Sequence, residues 1–187
     1  MTMSRVNVPT REEVSADNRA IFDQLQKKLG FVPNLYATFA HSEHALSNYL
    51  AFQNGKSSIT GKAREIVNLV VSQVNECAYC LAAHTAIGGM VGFSADQILE
   101  IRSGRASWDA KLDALARLTR SIAIKRGHAD QPVIDDFFAA GWTKGNLVDA
   151  IVLIGDKVIT NYLHAATQVP VDFPAVPKLT SPFASAA

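Results

Sequence analysis

The stretch Glu76-Cys77-Ala78-Tyr79-Cys80-Leu81-Ala82-Ala83-His84 holds both cysteines of the chain and a histidine four residues after the second. On a helix, at ~100° per residue, positions 77, 80 and 84 fall within a ~60° sector, so both sulfurs and the imidazole share one face. A thiolate is a nucleophile, a second thiol three residues away can close a disulfide with it, and an imidazole one turn on can take or return a proton. Zinc binding is the competing chemistry, but a tetrahedral zinc wants four ligands and the sequence has no second cysteine pair. Buried structural cysteines are the other alternative.

The elements around the motif decide how reactive it can be. Asn75 follows an apolar run and directly precedes the motif, which places a helix end there and a new helix start just after it. Cys77 and Cys80 then lie in the first turns of the new helix, where unpaired backbone N–H groups and the dipole favour a thiolate. If Lys62 to Val74 and Glu76 to Ile87 fold back as an antiparallel helical hairpin, Glu65 lies opposite His84. In one straight helix Glu65 would instead sit ~18 Å of axial rise from Cys77, too far for direct proton transfer. Glu76, at the helix start, reads as a dipole-compensating surface acid.

Length and composition bound the class of protein. The 187 residues are 48% hydrophobic and 19% charged, the balance of a globular chain. A formal net charge of +1 provides no electrostatic footprint for nucleic acid or an anionic membrane. Residues 1–11 lack the apolar core of a signal peptide, and the expectation is a cytoplasmic protein. Helix signals recur without any sustained two-residue alternation, so the fold class is all-α. Thr10-Arg11-Glu12-Glu13 reads as a capping box for a helix running to Leu29, with Gly30 as its stop. Leu35 to Gln53 reads as one helix, and Thr60 as the N-cap of Lys62 to Val74. Ser94 to Gln97 is another capping box, with Gly104 closing that helix. Ser107 opens a longer helix ending at Gly127, Asp130 caps Val133 to Ala140, and Thr143 opens the last helix through Thr167. That last helix is apolar over most of its circumference, as for a core or subunit interface, and its Asp156 argues against a membrane span. The expected organisation is a single helical domain over 1–168, followed at 169–187 by an extended arm. Pro170, Pro174, Pro177 and Pro182 mark that arm, which could pack on a neighbouring subunit.

Glu65, then Cys77, Tyr79-Cys80 and His84, together with Gly30-Phe31-Val32-Pro33-Asn34-Leu35 and Arg64-Glu65, resemble the alkylhydroperoxidase D-like (AhpD-like) family. This family is part of the carboxymuconolactone decarboxylase-like superfamily, and the phrases resemble its peroxidase-related subgroup. The resemblance is strongest over about residues 30–105. It implies an all-helical fold assembled as trimers or hexamers, with Cys80 as the peroxide-attacking thiol, Cys77 as the resolving thiol, and Glu65 with His84 as a proton relay. It implies an organic hydroperoxide substrate and an external thiol or protein reductant, with no cofactor and no metal. Founding members carry a histidine where this chain has Tyr79, which removes one proton carrier; Tyr79 reads as packing.

The remaining histidines carry less. His41 and His44 are spaced like a ligand pair with no third ligand beside them, and read as solvated or capping residues. His128 reads as a helix-end residue and His164 as lining a pocket or subunit contact. Three functions stay open: a cysteine-based peroxide reductase, a lactone-decarboxylase-type acid–base enzyme that needs no thiols, and a helical binding or redox-sensing protein. The intact spacing of Glu65, Cys77, Cys80 and His84 favours the first.

Overall fold

The computed structural model describes residues 4–179, which are all-helical with no strand among them. The helices are α1 (Ala16–Leu29), α2 (Asn34–Phe39), α3 (Ala45–Gln53), α4 (Gly61–Val74), α5 (Ala78–Met90), α6 (Ala95–Arg102), α7 (Ala110–Ile124), α8 (Gln131–Ala139) and α9 (Lys144–Thr167). They divide into two compact units. The first comprises residues 4–56 with Tyr162–Asp172, and the second Ser57–Asn161 with residues 173–179.

In the first unit, Val14, Phe22, Ala37, Ala40 and Leu46 form the core. Its helices differ from the expected boundaries for local reasons. The Thr10 backbone N–H does bond the Glu13 carboxylate at 2.7 Å, but this closes a turn. The helix begins only after Ser15, whose side chain accepts from the Asn18 N–H. The single helix expected over Leu35 to Gln53 is broken into α2 and α3. Ser42 Oγ accepts from the Ala45 N–H at 3.2 Å, so a hydroxyl inside the apolar run starts a new helix. Gly30 ends α1 as expected, in the left-handed conformation with φ 85°.

The second unit is built around α4. Every residue from Glu65 to Gln73 is buried, and α5, α6 and α7 all pack on this helix. Ile66, Leu69 and Val70 meet Leu115, Leu118 and Ile122 of α7 and Phe137 of α8 in one apolar core. A helix buried on all sides must satisfy its polar residues internally. Gln73 Oε1 accepts from Arg102 Nε at 2.9 Å, and Arg102, itself 1% exposed, gives a second hydrogen bond to the Pro177 carbonyl. The Ser94 capping box forms in full at the start of α6. The start of α7 is capped by Asp109, not Ser107: its carboxylate takes both the Lys111 and Leu112 N–H groups at 3.0 Å. Asp130 and Thr60 occupy their expected N-cap positions without a side-chain capping bond.

The described part of the arm, residues 169–179, has no helix or strand and packs on its own chain. Within the first unit, Asn34 donates to Asp172 and to the Pro170 carbonyl. Within the second, Phe173 meets Tyr79 edge to face at 5.5 Å. Pro182 lies outside the described residues. No helix among the described residues is long and apolar enough to cross a membrane. The last helix is less buried than its composition implies, since Val148, Ile151, Val152 and Ile159 are exposed.

Phe137 is fully buried and stacks on Trp142 at 5.5 Å, so Phe137→Ala opens a cavity in the second unit's core. The expected loss is about 3–5 kcal/mol of unfolding free energy, measured by urea titration against the parent chain.

Candidate functional site

The turn between α4 and α5 sets the positions of both sulfurs. The Cys77 N–H bonds the Ser72 carbonyl at 2.9 Å and the Glu76 N–H bonds the Gln73 carbonyl at 3.1 Å, the paired bonds of a Schellman helix end. Such an end needs a left-handed residue, and that residue is Glu76, at φ 51°. Glu76 is thus a turn-forming residue as well as the exposed acid expected from the sequence. Cys77 then serves at once as the N-cap of α5, its Sγ accepting from the Cys80 N–H at 3.2 Å. One residue closes α4 and opens α5, so the chain reverses within the length of a turn.

The reversal brings Glu65 of α4 against His84 of α5. Glu65 Oε2 lies 2.8 Å from His84 Nδ1, and the other carboxylate oxygen accepts from Asn68 Nδ2 at 2.7 Å. Burial alone would push the Glu65 carboxyl up, but the bonds from His84 and Asn68 and the charge of Lys157 hold it below the ordinary range. On His84, burial first and the Lys157 charge second outweigh the attraction of Glu65, so its pKa is lowered and the ring is neutral at neutral pH. The tautomer follows: Nδ1–H donates to Glu65, and the Nε2 lone pair faces Lys157 Nζ at 3.3 Å.

The third wall of the site comes from α9. Lys157 is 3% exposed and lies 3.4 Å from Asp156 Oδ2. Asn161 links this helix to the turn, accepting from Asn75 Nδ2 at 2.9 Å and donating to Ser72 Oγ at 3.4 Å. These groups divide the two buried, free thiols. Cys80 is lowered from its ordinary pKa, chiefly by a hydrogen bond from Cys77, against burial, with Asn161, Lys157 and Thr160 adding to the effect. Cys77 is pushed up, chiefly by that same bond to Cys80 and by burial. The first proton to leave the pair is therefore that of Cys80. The helix start expected to favour a thiolate at both positions gives its one backbone bond, from the Cys80 N–H, to Cys77, and the lowering of Cys80 comes from side chains.

The structure thus brings Glu65, Cys77, Cys80 and His84 into one cluster and adds Lys157, Thr160 and Asn161, which sequence reasoning did not identify. Their one local signal is a charged pair, Asp156-Lys157, inside an apolar helix. Tyr79 is buried in an aromatic contact. His41 bonds the Asn7 carbonyl at 2.9 Å, His44 precedes α3 without capping it, and His128 is exposed. His164 is buried, and burial lowers its pKa. No group of three or more His, Cys, Asp or Glu among the described residues is arranged to hold a metal ion.

Residues 40–120 match the carboxymuconolactone decarboxylase family model. Among solved structures, the fold is similar to the alkylhydroperoxidase AhpD core of an uncharacterized peroxidase-related protein from Ralstonia eutropha JMP134. That similarity has a TM-score of 0.81 at 20% identity, covering 92% of this chain and 94% of the other. A peroxidase-related protein from Silicibacter sp. TM1040 matches with TM-score 0.76 at 20% identity, over 96% and 94% of the two chains. The debrominase Bmp8, as a variant in complex with 2,3,4-tribromopyrrole, matches with TM-score 0.73 at 14% identity, over 97% of each chain. No curated protein sequence matches. The match to the carboxymuconolactone decarboxylase family is thus confined to the central part of the chain, and the fold as a whole is similar to that of AhpD-core proteins.

Both His84 and Glu65 are held below their unfolded values, so the unfolded chain binds protons first and stability is lost on acidification. The His84 contribution is lost as pH falls below the free-imidazole value near ~6.5, and that of Glu65 below ~4.3. Urea unfolding across this range should show a decline that His84→Gln removes in its upper part only. Nitrogen-15 NMR should find the wild-type ring neutral and protonated on Nδ1.

Proposed function

We propose that this protein reduces organic hydroperoxides through its cysteine pair. The observation that carries the reading is the placement of two buried, free thiols one helical turn apart beside the Glu65–His84 pair, with the Cys80 proton held less tightly than that of Cys77. The Cys80 thiolate attacks the terminal peroxide oxygen, the O–O bond breaks, and the departing alkoxide takes a proton to leave as alcohol. Cys80 is left as sulfenic acid. The Cys77 thiol then displaces the sulfenic oxygen, forming the Cys77–Cys80 disulfide and releasing water. An external dithiol, or two monothiols, returns both cysteines to the reduced state. Glu65 and His84 supply the polar side of the cluster. No resident cofactor enters the cycle.

The family match favours one other reading: acid–base catalysis by the Glu65–His84 couple, with the thiols uninvolved. Debromination, named for Bmp8, is not carried to this chain by a likeness of fold at 14% identity. The homo-oligomer is part of the proposal, with a second copy of the chain covering the exposed Val148, Ile151, Val152 and Ile159 of α9.

Reduced protein should consume cumene hydroperoxide in the presence of a dithiol and accumulate a Cys77–Cys80 disulfide when the dithiol is withheld. Cys80→Ser should abolish turnover, and Cys77→Ser should trap a sulfenic acid detected by a sulfenate-selective probe. Full hydroperoxide consumption by Cys80→Ser would exclude the cysteine mechanism. Light scattering should give a mass above that of one chain, and Val152→Glu with Ile159→Glu should return it to the monomer value.

A further inference from the structure

We infer that Lys157 is the group that meets the reacting atoms, its ammonium holding the Cys80 thiolate and protonating the departing alkoxide, while His84 stands behind it as a positioning residue. The inference rests on the peroxide-reducing reading above and assigns the proton step within it.

The geometry around His84 carries it. Both ring nitrogens are engaged, Nδ1 with Glu65 at 2.8 Å and Nε2 with Lys157 at 3.3 Å, so neither is free to reach a bound peroxide. A neutral imidazole protonated on Nδ1 also has no proton to offer on its Nε2 side. Lys157 differs on each count. An ammonium has three N–H donors; one is directed to His84, and Asp156 Oδ2 at 3.4 Å is an ion-pair neighbour and not a hydrogen-bond acceptor, which leaves donors for the sulfur or the peroxide oxygen. The ammonium is buried, so its charge is poorly screened from the Cys80 sulfur that it favours as thiolate. Within α9 the Lys157 carbonyl accepts from Thr160 Oγ1 at 3.0 Å, and Thr160 is itself a hydrogen-bonding neighbour of Cys80. The other charged or titratable groups packed around the two are Cys77, Glu65, His84 and Asp156.

The step balances within the cycle. Cys80 S⁻ forms the S–O bond, the O–O bond breaks, and the alkoxide takes one proton from the Lys157 ammonium, leaving a neutral amine. After Cys77 closes the disulfide and water departs, two external thiols reduce it. Their two protons return one to the Cys77 thiol and one to Lys157, so that Cys80 is again a thiolate.

The test compares Lys157→Met with Lys157→Arg, because guanidinium keeps the charge but does not give up a proton at working pH. Cys80 alkylation by iodoacetamide, followed by peptide mass spectrometry across pH, reads the thiolate. Single-turnover consumption of cumene hydroperoxide reads the proton step. Lys157→Met should move the alkylation midpoint upward by about one pH unit and slow peroxide consumption by about 100-fold. Lys157→Arg should restore the midpoint and leave the peroxide step slow. An unmoved midpoint in Lys157→Met overturns the thiolate role, and a Lys157→Arg enzyme as fast as wild type overturns the proton transfer. Should Lys157→Met fail to fold, the double variant Asp156→Asn/Lys157→Met removes the uncompensated carboxylate and is read by the same two assays. If wild-type protein consumes no hydroperoxide, the peroxide-reducing reading and its proton step fail together. The alkylation midpoint still decides the thiolate role.

Discussion

A carboxylate in the middle of a buried helix is the constraint around which the second unit is arranged. Glu65 lies on α4 with its side chain 7% exposed, and an ion so placed costs several kcal/mol unless its oxygens are bonded. Asn68, one turn along the same helix, satisfies one oxygen. The other requires a donor from a different element, and His84 of α5 provides it at 2.8 Å. That bond fixes the rotation and register of α5 on α4. Once the ring is held by Nδ1, its Nε2 must face α9, where the Lys157 ammonium meets it. One desolvated carboxylate therefore orders three helices.

The turn has to deliver that register in very few residues. A Schellman end normally closes on glycine, whose missing Cβ tolerates the left-handed region. Here Glu76 takes that conformation, at a cost of about 1–2 kcal/mol. By contrast Gly104, at φ 80°, has no such latitude for a side chain, since a Cβ there would lie 2.6 Å from Arg120 Cδ. At Glu76 the strain is tolerable because its side chain is exposed. The immediate N-capping of α5 by Cys77 Sγ supplies a compensating bond. Lengthening the turn would relieve the backbone but move His84 out of reach of Glu65.

The sequence was most legible where one signal had a local cause. The break at Asn75, Gly30 as the stop of α1 and the Ser94 capping box each depend on residues within one turn, and the structure places a helix end or start at each. The hairpin was legible because an apolar helix stops at Asn75 just before the cysteine-bearing one begins, and that reversal sets Glu65 opposite His84. Legibility failed where two local signals competed. Thr10 and Glu13 are bonded to each other yet only close a turn, and Ser42 divides an apolar stretch that otherwise reads as one helix. It failed completely for Lys157, Thr160 and Asn161. Their spacing from the cysteines is set by the packing of α9, and no periodicity records which residue of a long helix faces a site.

That last failure matters for how the two thiols differ. In sequence Cys77 and Cys80 are near-equivalent, both at the start of a helix, and the dipole of α5 favours ionisation of either. What separates them comes from α9 and from their contact with each other. Asn161 acts on both sulfurs, Lys157 and Thr160 weigh chiefly on Cys80, and a single proton between the two sulfurs then stays with Cys77. Each cysteine is at most 3% exposed, so this preference is little diluted by solvent. The difference between two identical side chains is therefore set largely by a helix more than seventy positions away in the chain, which sets a cation and a hydroxyl against Cys80 and an amide against both.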